Sequence, residues 1–503
     1  MADTQSPPEP PIEHRPSQEE EEKRRESSAS SEAAERILVT FDDDTCKDPK
    51  KWSVKYKLWV TVQLNLLAFA ASLGSSITAP AQDKISQVMG VSREVTVLSI
   101  SLYVIGFAFG PLFWGPVSEL WGRKMSMLPA TFCLGVFSIG TAVSKGPASL
   151  FITRFFGGLF GSAPNSNVAA ALGDIWEPRI RGAAMSFYAV CVVGGPTLGP
   201  TIGAAALVNP HLGWRWTEYI EAIVTFAVVL ITAIFLPEIY PPVLLSRKAR
   251  KLRKTTGNAA YYHPSEANKL DVNTVVTKHL TRPLRMLTTE PIVTAIAVYA
   301  SFVFGLLYLT LEVFPIVYLE DRGWPVVSAT LPFIGLFVGI LCALGINLGN
   351  IKRYAQISDA AGGKSVPEAR LQPMILGSII FPIGLFWFGW TANPKYHWAI
   401  PTVATGFIGA GFNIIFQQCI NYLVDSYGLY AASATSANTF LRSIMAAGLP
   451  LAANPMFHSL GVGPAMSILG AVAVLAIAVP FLFLKYAIVL RRKSAFAMAE
   501  GGK

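Results

Sequence analysis

The chain reads as a succession of long apolar runs separated by short polar turns. Six runs lie near 57–80, 95–115, 125–143, 150–172, 182–207 and 217–236, and six more near 291–318, 326–349, 371–391, 397–421, 428–452 and 463–487. About 20 helical residues rising about 1.5 Å each cross about 30 Å of hydrocarbon, whereas buried helices of water-soluble domains run shorter. The pattern predicts an all-α membrane protein with 12 transmembrane helices in two six-helix halves. The expected organisation is a disordered tail at 1–56, an N-terminal half at 57–236, a basic linker at 237–290, a C-terminal half at 291–487 and a second tail at 488–503. The first tail earns its assignment from a Pro-rich start, the run Glu19 to Glu22 and a Ser-rich patch from Ser27 to Ser31, which cannot bury enough apolar surface to order themselves.

Composition agrees with this pattern. With 52% hydrophobic and 15% charged residues, the chain has too few charges to solvate the surface of a water-soluble protein of 503 residues. The first 56 residues contain no apolar core of a secretory signal, so the first span is expected to act as its own insertion signal. The net charge of +9 would suit a nucleic-acid partner if it were spread over a soluble face, but it sits between and after the spans. Residues 237–290 alone hold ten basic side chains against four acids. Arg123/Lys124, Arg179/Arg181, Lys352/Arg353 and Arg491/Arg492/Lys493 fall on the same side if the spans alternate, which predicts cytoplasmic termini and no nucleic-acid partner. The Arg247 to Lys254 cluster sets orientation and offers a contact for anionic membrane lipid. Five cysteines, four of them inside spans and none in CxxC spacing, read as packing residues.

Glycine and proline recur within the spans, as in GGLFGSAPNS at 157–166 and GGPTLGPTIGA at 194–204. Small residues let helices approach closely in lipid, and Pro196 and Pro200 permit bends. Charged residues inside spans are costly and mark candidate chemistry. Arg154 lies in the fourth span, where it either faces a cavity or partner or snorkels outward. Glu312, in LTLEVFP, is the carboxylate well inside the seventh span and the preferred proton carrier. Glu218 reads as interfacial, and Glu221 is open between the two roles. Arg442 in NTFLRSIMAAG either pairs with an acid or anchors its helix, and Asp425 reads as a cap or gate. Asn65, Tyr103, Tyr308, Gln417 and Asn438 supply a polar and aromatic lining for a cavity suited to flat or amphipathic molecules, and aromatic faces also attract cations.

Three motifs carry a family resemblance. GPVSELWGRK resembles the loop motif GxxxDxxGRK of the major facilitator superfamily, with Gly115, Glu119, Gly122, Arg123 and Lys124 in place and Glu119 standing for the usual aspartate. The resemblance implies a charge latch that breaks and remakes as the halves rock. The second half has no clean copy of this motif. Gly195, Gly199, Pro200 and Gly203 are similar to the antiporter signature of drug exporters in that superfamily, with Ala204 in place of its closing glycine. Arg154 followed by Gly158, Gly161 and Ala163 resembles the fourth-span motif assigned there to proton coupling. With KDPKKWSVKYKLW and QQCINYLVDSYGLYAASATSANTFLRS, the resemblance covers the chain after residue 45 and points to the fungal twelve-span drug:proton antiporters.

That resemblance implies the major facilitator fold and a plasma-membrane, or alternatively vacuolar-membrane, efflux pump. Amphipathic or cationic drugs, toxins, secondary metabolites or polyamines would leave by alternating access, driven by a proton gradient. Arg154 and Glu312 would form the proton-coupling unit. A proton-coupled nutrient importer of the same fold and a non-transporting membrane sensor are the alternatives. No HxxH or HExxH pair offers a metal site and no GxxxxGK[ST] loop offers an ATP site, so no enzyme activity, metal or cofactor is expected. A monomer with a small-molecule substrate is the expected working unit.

Overall fold

A computed structural model describes residues 37–41, 48–267, 281–362, 366–427, 430–492 and 494. A long helix occupies each of the twelve expected positions. We label them α1 (Val54–Leu73), α2 (Arg93–Trp121), α3 (Arg123–Ala142), α4 (Pro147–Ile175), α5 (Pro178–Val208) and α6 (Arg215–Phe235) in the first half. The second half holds α7 (Pro291–Leu311), α8 (Leu331–Ala360), α9 (Leu371–Thr391), α10 (Ala399–Tyr427), α11 (Ala431–Gly448) and α12 (Val462–Ala476, continuing as Ala478–Arg492). Nine of these, all but α1, α4 and α11, are long and apolar enough to cross a membrane by length and composition. The other three owe their lower hydropathy to buried polar side chains, among them Asn65 on α1, Arg154 and Asn167 on α4, and Asn438 and Arg442 on α11. Conversely, large apolar residues such as Phe113, Leu230, Ile234, Val298 and Leu475 are exposed, as a lipid-facing surface requires.

Within each half, α2 packs on α4, α3 on α6, α8 on α10 and α9 on α10, while α5 with α8 and α2 with α11 join the halves. Glycines set the closest crossings. A Cβ on Gly158 would overlap the carbonyl of Tyr103, and one on Gly106 would lie 2.5 Å from the backbone nitrogen of Leu159, so α2 and α4 touch backbone to backbone. The antiporter-like glycines do the same for α5: side chains at Gly195, Gly199 and Gly203 would collide with Ser72, Ser76 and Ile77 at the end of α1.

Several helices overrun their expected limits, with α8 reaching Ala360 and α4 reaching Ile175. Helix propagation costs little once a turn exists, so a helix continues past its apolar stretch until a breaker stops it. The seventh span is broken instead. Helix α7 stops at Leu311, a short turn covers Val313–Pro315, and a π-helical turn runs through Ile316–Asp321, which places Glu312 at the interruption.

The described chain forms two compact units. The larger, the described residues of Lys47–Pro241 and Leu270–Lys503, holds all twelve helices; the smaller is the described residues of Met1–Cys46 and Pro242–Lys269. Linker and tail are therefore not featureless. In the smaller unit Ile37–Leu38 pairs in parallel with Tyr261–Tyr262, Arg253 bonds Glu266 at 2.7 Å, and most of the helix Pro241–Thr256 carries the basic cluster. A further helix, Thr281–Thr289, precedes α7, and the helical stretch after Ile477 runs into the expected C-terminal tail, to Arg492. The runs Glu19 to Glu22 and Ser27 to Ser31, with Cys46, Lys269, Asp271, Lys278 and Lys493, lie outside the described residues. The four described cysteines, Cys133, Cys191, Cys342 and Cys419, are free.

Candidate functional site

Arg154 is buried in the first half, 1% exposed, and faces two carboxylates of α6 one turn apart. Its Nη1 donates to Glu218 Oε1 at 3.0 Å and stands 3.9 Å from Glu221 Oε2. Nε donates to the carbonyl of Ser99 at 3.0 Å and Nη2 to that of Gly74 at 2.7 Å, while the guanidinium lies 4.4 Å from the centre of the Tyr103 ring. The Tyr103 hydroxyl donates to the Ala71 carbonyl at 2.8 Å and approaches Glu221 Oε1 at 3.4 Å. Gly74 is required here, because a Cβ would overlap the Glu221 carboxylate. The arrangement excludes the snorkelling alternative for Arg154. It also corrects the interfacial reading of Glu218, which is fully buried. The serine-rich turn after α1 carries Gly74 into the cluster, and sequence reasoning missed that α6 delivers both acids at helical spacing.

Behind that turn opens a cavity of about 250 Å³ between the halves, lined by Ser75, Ser76, Tyr308, Glu312 and Phe333, with Arg93 at its edge. Glu312 lies at this cavity and Arg154 in the cluster behind its wall, so the two residues expected to form the proton-coupling unit occupy adjoining sites. On α7, Phe304, Tyr308 and Glu312 follow at four-residue steps on one face, and the rings of Phe304 and Tyr308 stack at 5.1 Å. At the cavity mouth, Arg93 at the head of α2 contacts Glu320 at 3.3 Å and Asp83 at 3.3 Å. Glu320 also receives His458 at 3.0 Å.

The other end of the bundle carries most of the loop arginines. Arg123 opens α3, donating Nε to Asp174 at the end of α4 at 2.9 Å and Nη1 to Ser118 at 2.6 Å, and it stacks 4.5 Å from the Tyr240 ring. Gly122 has φ +100°, which favours glycine, and Glu238 caps the turn by accepting from the Arg123 nitrogen at 2.9 Å. The acid seated on Arg123 is therefore Asp174, while Glu119 acts on it through the local field. Lys124 donates to the Ala233 carbonyl at 2.9 Å, and a Cβ on Gly115 would meet Ser436 Oγ at 3.8 Å. The second half builds the same contact without the motif: Arg370, just before α9, donates to Asp425 at the end of α10 at 2.9 Å and stacks on Tyr354, whose hydroxyl also donates to Asp425 at 2.9 Å. Asp425 then crosses the halves to Arg181 of α5 at 2.6 Å. Arg179 and Asp359, at 3.2 Å, add a second crossing pair. An acid ending the fourth span of one half and the tenth span overall was the available signal for this symmetry.

The expected lining residues separate. Tyr308 lines the cavity, Tyr103 lies behind its wall with Arg154, and Gln417 bridges the halves by donating to Ser186 of α5 while accepting from Asn347. Asn65 is buried on α1, its Oδ1 without a partner among the described residues. Asn438 and Arg442 line a narrow cleft with Asn165 and Tyr188. Of the two roles open to Arg442, the acid partner is not found among the described residues; two phenylalanine rings adjoin it instead.

Comparison with known proteins agrees with this architecture. The sequence profile of the Major Facilitator Superfamily matches residues 64–450. The chain is 38% identical over 465 residues to a multidrug transporter of that superfamily, FLU1 of Candida albicans, covering 92% of this chain and 76% of that one. It is 38% identical over 457 residues to the efflux pump bik6 of Gibberella fujikuroi, covering 91% and 94%. Among solved structures it resembles the proton:xylose symporter XylE, with a TM-score of 0.60 at 16% identity, covering 86% of this chain and 97% of that one. A family profile spanning most of the chain, relatives aligned over about nine-tenths of it and two six-helix halves joined through α2, α5, α8 and α11 together show that this chain belongs to the major facilitator superfamily, where it groups with fungal multidrug transporters and efflux pumps.

Proposed function

We propose that this membrane transporter is a proton-coupled exporter of amphipathic or cationic small molecules. It works by alternating access as a monomer in the plasma membrane, with the arginine-rich end and both termini cytoplasmic, and the proton gradient takes the place of any cofactor. The observation that carries the reading is the Arg154 cluster, in which two buried carboxylates share one guanidinium. Such a group is electrically balanced only with one proton bound, and an unbalanced buried charge costs several kcal/mol. Glu218 Oε2 and Glu221 Oε2 have no hydrogen-bond partner among the described residues, which leaves room for that proton. Losing it puts a net negative charge in the buried cluster, and the strain is relieved by a change of conformation that rehydrates the site past the Ser75–Ser76 wall. A cationic substrate held by Glu312 and Tyr308 in the adjoining cavity feels the same charge change. The names of the fungal relatives support export as the direction.

The test is gradient-driven flux. Purified protein in liposomes with an imposed pH gradient should accumulate a cationic aromatic dye against its concentration. Glu221→Gln, which fixes the cluster in its neutral form, should cut that uphill flux roughly a hundredfold while leaving downhill exchange within a few-fold. Glu312→Gln should instead weaken dye affinity and keep the dependence on the gradient. Equal uphill flux in wild type and Glu221→Gln would overturn the coupling assignment.

A further inference from the structure

Arg123, Arg154 and Arg370 are all buried, and each has a carboxylate within 3.0 Å. Arg442 has none. It is 5% exposed in the middle of α11, and its Nε and Nη1 meet no hydrogen-bond acceptor among the described residues. What surrounds it is aromatic: the guanidinium carbon is 4.8 Å from the ring centres of both Phe304 on α7 and Phe416 on α10. Arginine keeps its charge under any physiological condition. A cation–π contact is weaker than the cost of leaving a buried ion unpaired, so the two rings do not balance the site. A fold that pairs its other buried arginines and leaves this one open holds it for a partner outside the chain.

The surroundings show what that partner is. Arg442 opens on the cleft between the halves, with Asn165 and Tyr188 on one wall and Ser436, Asn438 and Thr439 on the other. Asn438 Oδ1 is likewise without a partner among the described residues. Phe304 stacks on Tyr308, which lines the cavity beside Glu312, so packed aromatic rings connect the wall of that cavity to the guanidinium. We propose that Arg442 is the anion subsite of the central substrate site, taking the carboxylate of an amphipathic aromatic substrate whose body lies against Phe304, Phe416 and Tyr308. A guanidinium suits this role because it meets a carboxylate through two parallel N–H donors. The proposal rests on the transport reading and narrows its amphipathic substrates to molecules that carry a carboxylate, alone or with a cationic group.

The experiment is equilibrium binding to the purified full-length protein without any gradient, so failure of proton coupling leaves it intact and its own failure leaves the coupling reading intact. The probes are naphthalene-1-acetate, its carboxamide and naphthylmethylamine, followed by calorimetry. Wild type should bind the carboxylate roughly tenfold to a hundredfold more tightly than the carboxamide, the range of a charge-assisted hydrogen-bond pair. Arg442→Gln should abolish that preference with an unchanged or raised Tm, since the substitution removes an uncompensated charge, and Arg442→Lys should keep part of it. Equal affinity of wild type for carboxylate and carboxamide, or no binding of the carboxylate, overturns the proposal. So does Arg442→Gln that keeps the preference or fails to fold, because Arg442 would then serve the fold and not the ligand.

Discussion

At the scale of single residues, the chemistry depends on where backbone leaves room for charge. Gly74 shows this directly: its missing side chain gives space to the Glu221 carboxylate, and its carbonyl receives Arg154. Gly74→Ala should therefore displace Glu221, lower stability by about 1–3 kcal/mol as overpacking does, and reduce gradient-driven flux more than substrate affinity. A thermal melt paired with the liposome assay checks it, and a variant with normal coupling would show that Glu221 need not sit where it does. His458 makes a different argument. Hydrogen bonds to the Asn454 carbonyl and to Glu320 hold its pKa above the usual histidine value. The charged form that grips Glu320 is thus full below that usual value and is lost as the pH rises through the raised one. Distances between spin labels placed near residues 460 and 322 should lengthen as pH rises through that window in wild type and stay flat in His458→Gln, with Arg93, Asp83 and Asp321 as the other charges in the neighbourhood.

At the scale of elements, the small-residue faces and the helix ends divide the work. The faces of α2, α4 and α5 bring backbones into contact, which positions Tyr103 and the turn after α1 against Arg154. Helix ends carry the ion pairs. Asp425 terminates α10 and receives Arg181, Arg370 and Tyr354, tying α10 to its neighbours in one half and to α5 in the other. Removing one member of a buried ion pair costs about 3–5 kcal/mol because the remaining charge is left unpaired. Asp425→Asn should lower the unfolding free energy by about 3 kcal/mol and expose cysteines introduced along α5 and α10 to a membrane-impermeant thiol reagent from the arginine-rich side. If labelling from that side does not increase, the contact is not a gate.

At the scale of the whole molecule, the two ends are unequal. The crossing between Arg181 and Asp425 is nearly enclosed, whereas Arg93 and Glu320 are 40% and 32% exposed and their pair is screened by water. Exposed pairs contribute about 0–1 kcal/mol, far less than buried ones. The structure is accordingly held shut at the arginine-rich end and weakly closed at the other, with the Glu312 cavity behind the weaker closure. Arg442 and the Arg154 cluster lie in different halves, Arg442 on α11 and Arg154 with Glu218 and Glu221 on α4 and α6.

The sequence by itself determined the membrane class, the positions of the twelve helices and the residues worth watching. Apolar length decides what can cross lipid, and a charge inside such a run is too costly to be incidental. It also marked Gly195, Gly199 and Gly203, because small residues at four-residue steps announce a close helix contact whatever the partner. Tertiary structure decided the partners. Arg154 met Glu218 and Glu221 and not Glu312, Arg123 met Asp174, and Arg442 met phenylalanines, since ion pairs between helices depend on crossing geometry that hydrophobic periodicity does not encode. The break in α7 at Glu312 and the copy of the arginine–aspartate contact in the second half escaped a linear reading for the same reason: each is specified by contacts between residues distant along the chain, while a motif records only neighbours in sequence.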